Sequence, residues 1–145
     1  MKAIIIREKG SFDYVVPEEV NKPVIAADEI LIKIAAAGVN PVDWKAVLNG
    51  YFNPPHILGS DIAGVIEATG NEVKNYKVGD EIIGSLEWAK QGAFAEYVAT
   101  KEQFITHKPA NLSLKESAAI PLAALTAWQG LFDHGNLQAG QKVII

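Results

Sequence analysis

The sequence predicts a mainly β domain with a few short helices, an α+β fold whose strands form a small barrel or sandwich. Two observations predict it. Short runs rich in β-branched residues recur as far as His107, and glycine-bearing turns separate them. After that point the pattern changes to helical spacing, which begins with a capping box from Ser113 to Glu116.

Composition narrows the class of protein. The 145 residues are 49% hydrophobic and 21% charged, which is typical of one soluble domain. The net charge of −4, without a cluster of Lys and Arg, argues against binding to nucleic acid. No cysteine is present, so disulfides and thiolate metal ligands are excluded, and we expect a cytoplasmic location. The apolar runs are too short for a signal peptide or a membrane span.

The strands follow from local patterns, taken in chain order. Lys2–Arg7 is a β-branched run that Gly10 ends. Glu29–Ala36 alternates, with its isoleucines on one face, and Gly38 ends it. The other predicted strands are Tyr14–Glu18, which Pro17 ends, Ile62–Thr69, Glu81–Gly84, Ala93–Ala99 and Gln103–His107.

Helices are predicted where proline and polar caps precede helical spacing. Asn40 fits the cap and Pro41 the first turn of a short helix over Pro41–Asn49. A loop is predicted over Asn53–Pro55. After the capping box, Leu122–Phe132 predicts a second apolar helix.

The end of the chain predicts an incomplete element. Gln141–Ile145 has the composition of a buried parallel strand. A native chain seldom ends inside such a strand, because its open edge would promote aggregation. We therefore expect this sequence to be part of a longer protein.

Five segments in order carry a resemblance to a known family. They are AAGVNPVDWK at 36–45, LGSDIAGVIEATG at 58–70, VGDEIIG at 78–84, GAFAEYV at 92–98 and AAIPLAALTAWQGL at 118–131. The chain resembles the medium-chain dehydrogenase/reductase superfamily, in its zinc-independent, zeta-crystallin-like quinone oxidoreductase branch. The resemblance implies a GroES-like catalytic barrel over 1–120. It also implies the connecting helix and first strand of a truncated Rossmann domain over 121–145.

The same resemblance bears on metal. Zinc-dependent relatives carry a cysteine at the position of Asn40 and a histidine at that of Ser60. An amide and a hydroxyl are poor zinc ligands beside thiolate and imidazole. We therefore predict no zinc, and the remaining alternative, His56 with Asp61 or Asp43, is disfavoured because lone histidines are usually structural.

The resemblance implies hydride transfer from NADPH to a small quinone or an α,β-unsaturated carbonyl. The glycine-rich loop that binds the pyrophosphate would lie past Ile145, so residues 1–145 alone are expected to be inactive. Two alternatives are an acyl-thioester enoyl reductase and a non-catalytic GroES-like binding module. The full-length protein is expected to be a homodimer, without nucleic-acid or membrane partners.

The resemblance also assigns site residues. The predicted catalytic residues are Asn40 and Tyr51, although several quinone reductases carry their tyrosine at the position of Phe52. The predicted cofactor contacts are Asn40, Pro41, Trp44, Lys45 and Thr126, and the predicted substrate contacts are Phe52 and Trp88.

Each assignment has a structural alternative. The alternative for Asn40 is that it only caps the helix, a role that is compatible with contacting the cofactor. The alternative for Thr126 is that it bonds its own preceding turn. Trp44 is alternatively a core residue and Lys45 a solvated one. Trp88 is alternatively an exposed loop aromatic. For Asp61 we expect a buried hydrogen-bonding role.

Overall fold

The computed structural model describes residues 1–87, 90 and 92–144, and its strands form two antiparallel sheets. In the smaller sheet, β1 (Lys2–Ile6) lies between β2 (Val15–Glu19) and β4 (His56–Ile57). The predicted first strand is confirmed. The prediction that Pro17 ends the second strand is wrong, because β2 continues through Pro17, which pairs with Ile4. An edge strand accepts proline, since one side of its backbone needs no partner.

The larger sheet has the order β7-β3-β5-β6-β8. Its strands are β3 (Glu29–Gly38), β5 (Asp61–Thr69), β6 (Glu81–Ser85), β7 (Tyr97–Lys101) and β8 (Ile105–His107). The register of β3 with β5 sets Gly38 opposite Asp61. This pairing fixes the polar end of β5 beside the point where the chain leaves β3.

Two predicted strands are longer than the observed ones. β7 begins at Tyr97 rather than Ala93, because the preceding residues pair with β1: the Ile4 N–H donates to the Phe94 carbonyl at 2.8 Å. Residues Glu102–Phe104 form a 3-10 turn before β8. The contact between Phe94 and β1 connects the two sheets into one barrel-like unit.

Isoleucines form the core of the larger sheet. Ile30, Ile32, Ile62 and Ile82 are fully buried and pack together. Burying one such side chain stabilises the fold by about 1.5–3 kcal/mol. A second cluster attaches the first helix to the smaller sheet; its members are Ile6, Ala46, Val47, Phe52 and Leu58.

Three helices follow the predicted start signals. They are α1 (Pro41–Leu48), α2 (Leu114–Ser117) and α3 (Pro121–Trp128), and α3 continues as a wider π-helical turn over Gln129–His134. The predicted capping box is confirmed, because the Ser113 N–H donates to Glu116 Oε2 at 2.9 Å and the Glu116 N–H donates to Ser113 Oγ at 3.2 Å. No helix in the described part of the chain has the length and apolar character needed to cross a bilayer.

The predicted terminal strand is not formed. Residues 141–144 have no strand pairing, and Ile144 is 99% exposed. A parallel strand needs neighbouring strands to satisfy its backbone, and none of the described strands pairs with this segment. The apolar composition therefore predicted an element that this chain does not form by itself.

Candidate functional site at the start of helix α1

The chain leaves β3 at Gly38 and enters α1 through Asn40, whose backbone is extended (φ −116°, ψ 154°). The Asp43 N–H donates to the Asn40 carbonyl at 3.0 Å, and the Asn40 N–H donates to Asp43 Oδ2 at 2.7 Å. The predicted cap position of Asn40 is confirmed. These bonds fix the backbone of Asn40 at the boundary between sheet and helix.

The Asp61 carboxylate joins Asn40 to α3. Asp61 is 1% exposed, and its Oδ2 accepts from Asn40 Nδ2 at 3.0 Å. Both carboxylate oxygens also accept from the Leu122 N–H at 3.1 Å. The expected buried hydrogen-bonding role of Asp61 is confirmed. The bond to Leu122 was not predicted, because no local pattern connects residues that far apart in sequence.

Two buried carboxyl groups flank Asn40. Burial raises the pKa of Asp61, although hydrogen bonds from Asn40, Leu122 and Ser85 oppose the change. Burial also raises the pKa of Asp43, and the negative charge of Asp61 adds to that rise. Neither carboxyl group is in an ion pair within the described residues. The site thus has a higher affinity for protons than exposed carboxylates have.

Several predicted ligand contacts are exposed around α1. Trp44 is 47% and Tyr51 63% exposed, and Lys45 Nζ lies 5.5 Å from the centroid of the Trp44 ring. Pro41 is exposed as well. The alternative that Trp44 is a core residue is therefore wrong, and these side chains are accessible to a ligand.

Phe52 is buried, although it was predicted to contact the substrate. Only 5% of Phe52 is exposed, and it packs in the core cluster beside Val47 and Leu58. Its ring stacks on His56, with 4.4 Å between ring centroids and 10° between planes. Because one face of the ring lies on His56 and 5% of the residue is exposed, little of Phe52 is open to an acceptor, which argues against the predicted substrate contact. His56 is partly buried there, and burial lowers its pKa.

Thr126 and Trp88 complete the predicted set. Thr126 is exposed on α3, one turn beyond the Leu122 that bonds to Asp61. Asn40 and Thr126 therefore lie on elements that one carboxylate connects. The predicted substrate contact at Trp88 lies outside the described residues.

The donor set of this site does not fit a zinc ion. The Asn40 amide nitrogen is bonded to Asp61, and Ser60 offers only a buried hydroxyl. Within the described ranges, no three His, Asp or Glu side chains are grouped as metal ligands. Amide and hydroxyl groups bind zinc poorly.

Concave surfaces lie elsewhere. A groove of about 690 Å³ runs between β1 and β3 over Ala35, Ala36 and Ala37. An apolar groove of about 390 Å³ lies beside α3, against Ile120 and Trp128. Of the predicted site residues that the structure describes, none lines either groove. Pro41, Trp44 and Tyr51 form an exposed surface at α1 in this chain.

Comparison with known proteins identifies the family. Residues 26–110, more than half of the chain, match the alcohol dehydrogenase GroES-like domain. The chain belongs to this GroES-like family. The GroES-like chain is 41% identical to the 2-methylene-furan-3-one reductase of Solanum lycopersicum, over an alignment that covers 100% of this chain and 40% of the relative. It is 39% identical to the chloroplastic quinone-oxidoreductase homolog of Spinacia oleracea, covering 89% of this chain and 41% of the relative.

Comparison with a solved structure supports the same family. The quinone oxidoreductase of Escherichia coli complexed with NADPH superposes with a TM-score of 0.84 at 25% identity, over 92% of this chain and 41% of that one. The predicted GroES-like fold and the resemblance to quinone oxidoreductases of the medium-chain superfamily are confirmed. The chain spans about 40% of the length of the curated relatives it matches.

Proposed function

We propose that this chain is the GroES-like catalytic domain of a zinc-independent, NADPH-dependent reductase of quinones or α,β-unsaturated carbonyls. The observation that carries the proposal is the match to relatives named for these acceptors along nearly the whole chain. The solved relative with NADPH supports the choice of nicotinamide. Because the chain spans about 40% of those relatives, most of the cofactor site belongs to the rest of the protein.

Zinc independence is supported by the chemistry of the donors. Asn40 and Ser60 replace thiolate and imidazole, and Asp61 already engages the Asn40 amide nitrogen. A conjugated acceptor needs less polarisation of its carbonyl, since its π system spreads the developing charge. The absence of good zinc ligands is thus compatible with reduction of such an acceptor.

In this proposal the residues of the chain bind and orient the cofactor and the acceptor. When bound, the nicotinamide supplies the hydride. Asn40 would lie against the cofactor and the acceptor, with an amide that both donates and accepts. Tyr51, which is 63% exposed, would donate a hydrogen bond to the acceptor oxygen as negative charge develops there. Pro41, Trp44, Lys45 and Thr126 would hold the cofactor from the barrel side.

The remaining features of the proposal concern the whole protein. We place it in the cytoplasm as a homodimer that acts on small molecules, without nucleic-acid or membrane partners. Size-exclusion chromatography with light scattering checks the dimer, and cell fractionation checks the location. A chloroplastic or monomeric protein would contradict these two points without affecting the reaction.

The deciding experiment follows the absorbance of NADPH in the protein that carries this chain. Quinone, enone and enoyl-thioester acceptors are compared, with and without a zinc chelator. We expect oxidation with quinone or enone acceptors that the chelator leaves unchanged. Preference for long acyl thioesters would favour the enoyl reductase alternative, and inhibition by the chelator would contradict zinc independence.

Asn40→Ala separates an enzyme from a binding module. We expect turnover to fall tenfold or more, which corresponds to about 1.4 kcal/mol in the barrier. The matched control is Asn71→Ala, in an exposed turn after β5, where activity should be unchanged. An Asn40→Ala protein as active as the control would contradict the assigned role.

A further inference from the structure

The Asp61 carboxylate is buried without a cation to neutralise it. It is 1% exposed and takes no part in the ion pairs of the described residues. Burying a charged carboxylate in this way costs free energy, and a well-packed apolar residue often replaces such a group without loss of stability. Packing alone therefore gives no reason for an aspartate at the start of β5.

The groups around Asp61 are hydrogen-bond donors that come from separate elements. Asn40 Nδ2 lies before α1, and the Leu122 N–H belongs to the first turn of α3. The Ser85 hydroxyl at the end of β6 also lowers the pKa of Asp61 through a hydrogen bond. A carboxylate has only acceptors, so it can serve donors from all of these elements at once, whereas an amide of the same shape cannot.

The backbone leaves room for this arrangement. Gly38 pairs with Asp61 across β3 and β5. A Cβ atom at Gly38 would lie 3.0 Å from Asp61 Cβ and 2.5 Å from the Ala118 carbonyl oxygen. A side chain at residue 38 would thus displace Asp61 or the chain that leads into α3. The close approach of β3, β5 and residue 118 depends on the missing side chain of Gly38.

The bond also fixes the orientation of the Asn40 amide. With Nδ2 directed at the carboxylate, a flip of the amide would set its oxygen against Asp61 Oδ2, at the present distance of 3.0 Å, and lose the bond. The backbone of Asn40 is held independently by Asp43. The side-chain orientation of Asn40 therefore depends on Asp61.

We infer that Asp61 is a positioning residue, which holds the amide of Asn40 and the start of α3 in one fixed arrangement. This inference rests on the proposed function, in which Asn40 and Thr126 contact the cofactor. Asp61 itself does not touch the ligand. Its effect is to present Asn40, from the barrel, and Thr126, from α3, as a single preorganised surface. The cofactor should then bind without first ordering these two elements.

Asp61→Asn tests the inference in the NADPH-oxidising protein. The variant keeps the shape of the side chain and replaces one acceptor by an NH2 donor. In one orientation this NH2 group lies 3.1 Å from the Leu122 N–H, and in the other it lies 3.0 Å from Asn40 Nδ2, so a donor faces a donor in both. We expect the KM for NADPH to rise tenfold or more and kcat to fall as well, because a displaced Asn40 amide also loses its contact with the acceptor. A purely structural role would reduce the amount of active protein, and hence kcat, and leave KM unchanged.

Two further variants calibrate the result. Asp61→Glu keeps the carboxylate and should retain a KM between those of the wild type and Asp61→Asn. Glu67→Gln makes the same chemical change on the same strand, at a side chain that is 39% exposed and pairs with Lys22, and should leave KM unchanged. Equal KM values for wild type, Asp61→Asn and Asp61→Glu would overturn the inference. If Asp61→Asn does not fold, the KM of Asp61→Glu decides, since a displaced carboxylate must still change it.

Hydrogen exchange separates this inference from the proposed reaction. In the isotopically labelled chain, the Leu122 N–H and the Asn40 side-chain amide should exchange at least tenfold faster in Asp61→Asn than in wild type. Leu122 exchange that is unaffected by Asp61→Asn would contradict the positioning role whatever the activity. Slow exchange in wild type without any NADPH oxidation would refute the proposed function and leave the positioning bond in place.

Discussion

The barrel and the segment that follows it use similar residues with opposite results. In the barrel, Ile30, Ile32 and Ile62 are fully buried against neighbouring strands. In the segment over 121–144, Leu125 is 46%, Trp128 60% and Ile144 99% exposed. Both regions carry apolar runs of the kind that predict buried elements. The two regions differ in their packing partners. Neighbouring strands cover the isoleucines of the barrel, whereas no described strand covers these side chains of the segment.

The largest expected difference in stability comes from replacing one isoleucine in each region by alanine. Ile62→Ala should lower the free energy of unfolding by about 2–5 kcal/mol, because it leaves a cavity at a fully buried position. Ile144→Ala should change it by less than about 0.5 kcal/mol, since the side chain is exposed. Urea unfolding of both variants measures the difference. Similar losses at the two positions would break the comparison.

Glycines with the same backbone conformation give the next largest difference. Gly59 (φ +88°) and Gly140 (φ +86°) both adopt a left-handed conformation, but a Cβ at Gly59 would lie 2.4 Å from the Phe94 ring, and one at Gly140 would meet nothing within 4 Å. Gly59→Ala should cost about 2–4 kcal/mol, from the backbone conformation and overpacking together. Gly140→Ala should lower the free energy of unfolding by about 1–2 kcal/mol, from the backbone conformation alone. Urea unfolding tests this by comparing the midpoints of the two variants, provided that the slope m of the free energy against urea concentration is the same. Equal midpoints would mean that the Phe94 ring moves to accommodate the added methyl group.

The buried histidine of the barrel provides a pH-dependent probe. Burial lowers the pKa of His56 in the folded state, so the unfolded chain takes up the proton first as the pH falls below about 6.5. His56 therefore costs stability progressively below that pH, by about 1.4 kcal/mol for each unit of pKa difference. His56→Gln should lose this part of the pH dependence. Unfolding free energies at closely spaced pH values between 7.5 and about 4 measure it.

A matching dependence in wild type and His56→Gln would contradict this prediction. The carboxyl groups of Asp43 and Asp61 act in the opposite direction, because their raised pKa values make the folded state bind protons more tightly as the pH falls. Both groups are present in both proteins. The difference between the two curves therefore reports His56 alone.

The smallest expected effect is at Trp128, which is 60% exposed and contacts the Phe132 ring at a tilt of 43°, with 4.6 Å between ring centroids. Trp128→Gln should change the free energy of unfolding by less than about 0.5 kcal/mol. It should also reduce self-association of the chain at high concentration, because it removes an exposed aromatic surface. Light scattering measures the association. A large loss of stability would show that α3 is part of the barrel's folding unit.

Local patterns predicted most of the barrel. Three predictions are confirmed because each depends on residues close in sequence: the strand β3, the start of α1 with Asn40 as its cap and Pro41 in its first turn, and the capping box at Ser113. The start of β7 was misplaced because Phe94 pairs with β1, a choice that only tertiary contacts make. The strand predicted over 141–145 is absent from the described residues 141–144, which pair with no described strand. An apolar run forms a buried strand only where neighbouring strands are present.

The candidate site was predictable in part. The exposure of Trp44 and Tyr51 agrees with a ligand-facing surface, and the resemblance to the family indicated a buried hydrogen-bonding role for Asp61. Two features needed the structure. Phe52 was predicted to contact the substrate, but it packs in the core with Ile6 and Leu58. The bond from Leu122 to Asp61 depends on how α3 is placed against β5, and no sequence spacing encodes that placement.

The hydrogen bonds of Gly59 and Ser60 determine how well the stretch between Leu86 and Gly92 tolerates changes in sequence and length. The Leu86 N–H donates to the Ser60 carbonyl at 2.9 Å, and the Gly92 N–H donates to the Gly59 carbonyl at 3.0 Å. The stretch between Leu86 and Gly92 therefore starts and finishes on adjacent peptide groups. Lengthening a loop whose ends are held together costs little, about 0.6 kcal/mol for each doubling. Insertions and exchanged sequences between these two anchors should therefore leave the register of the barrel unchanged.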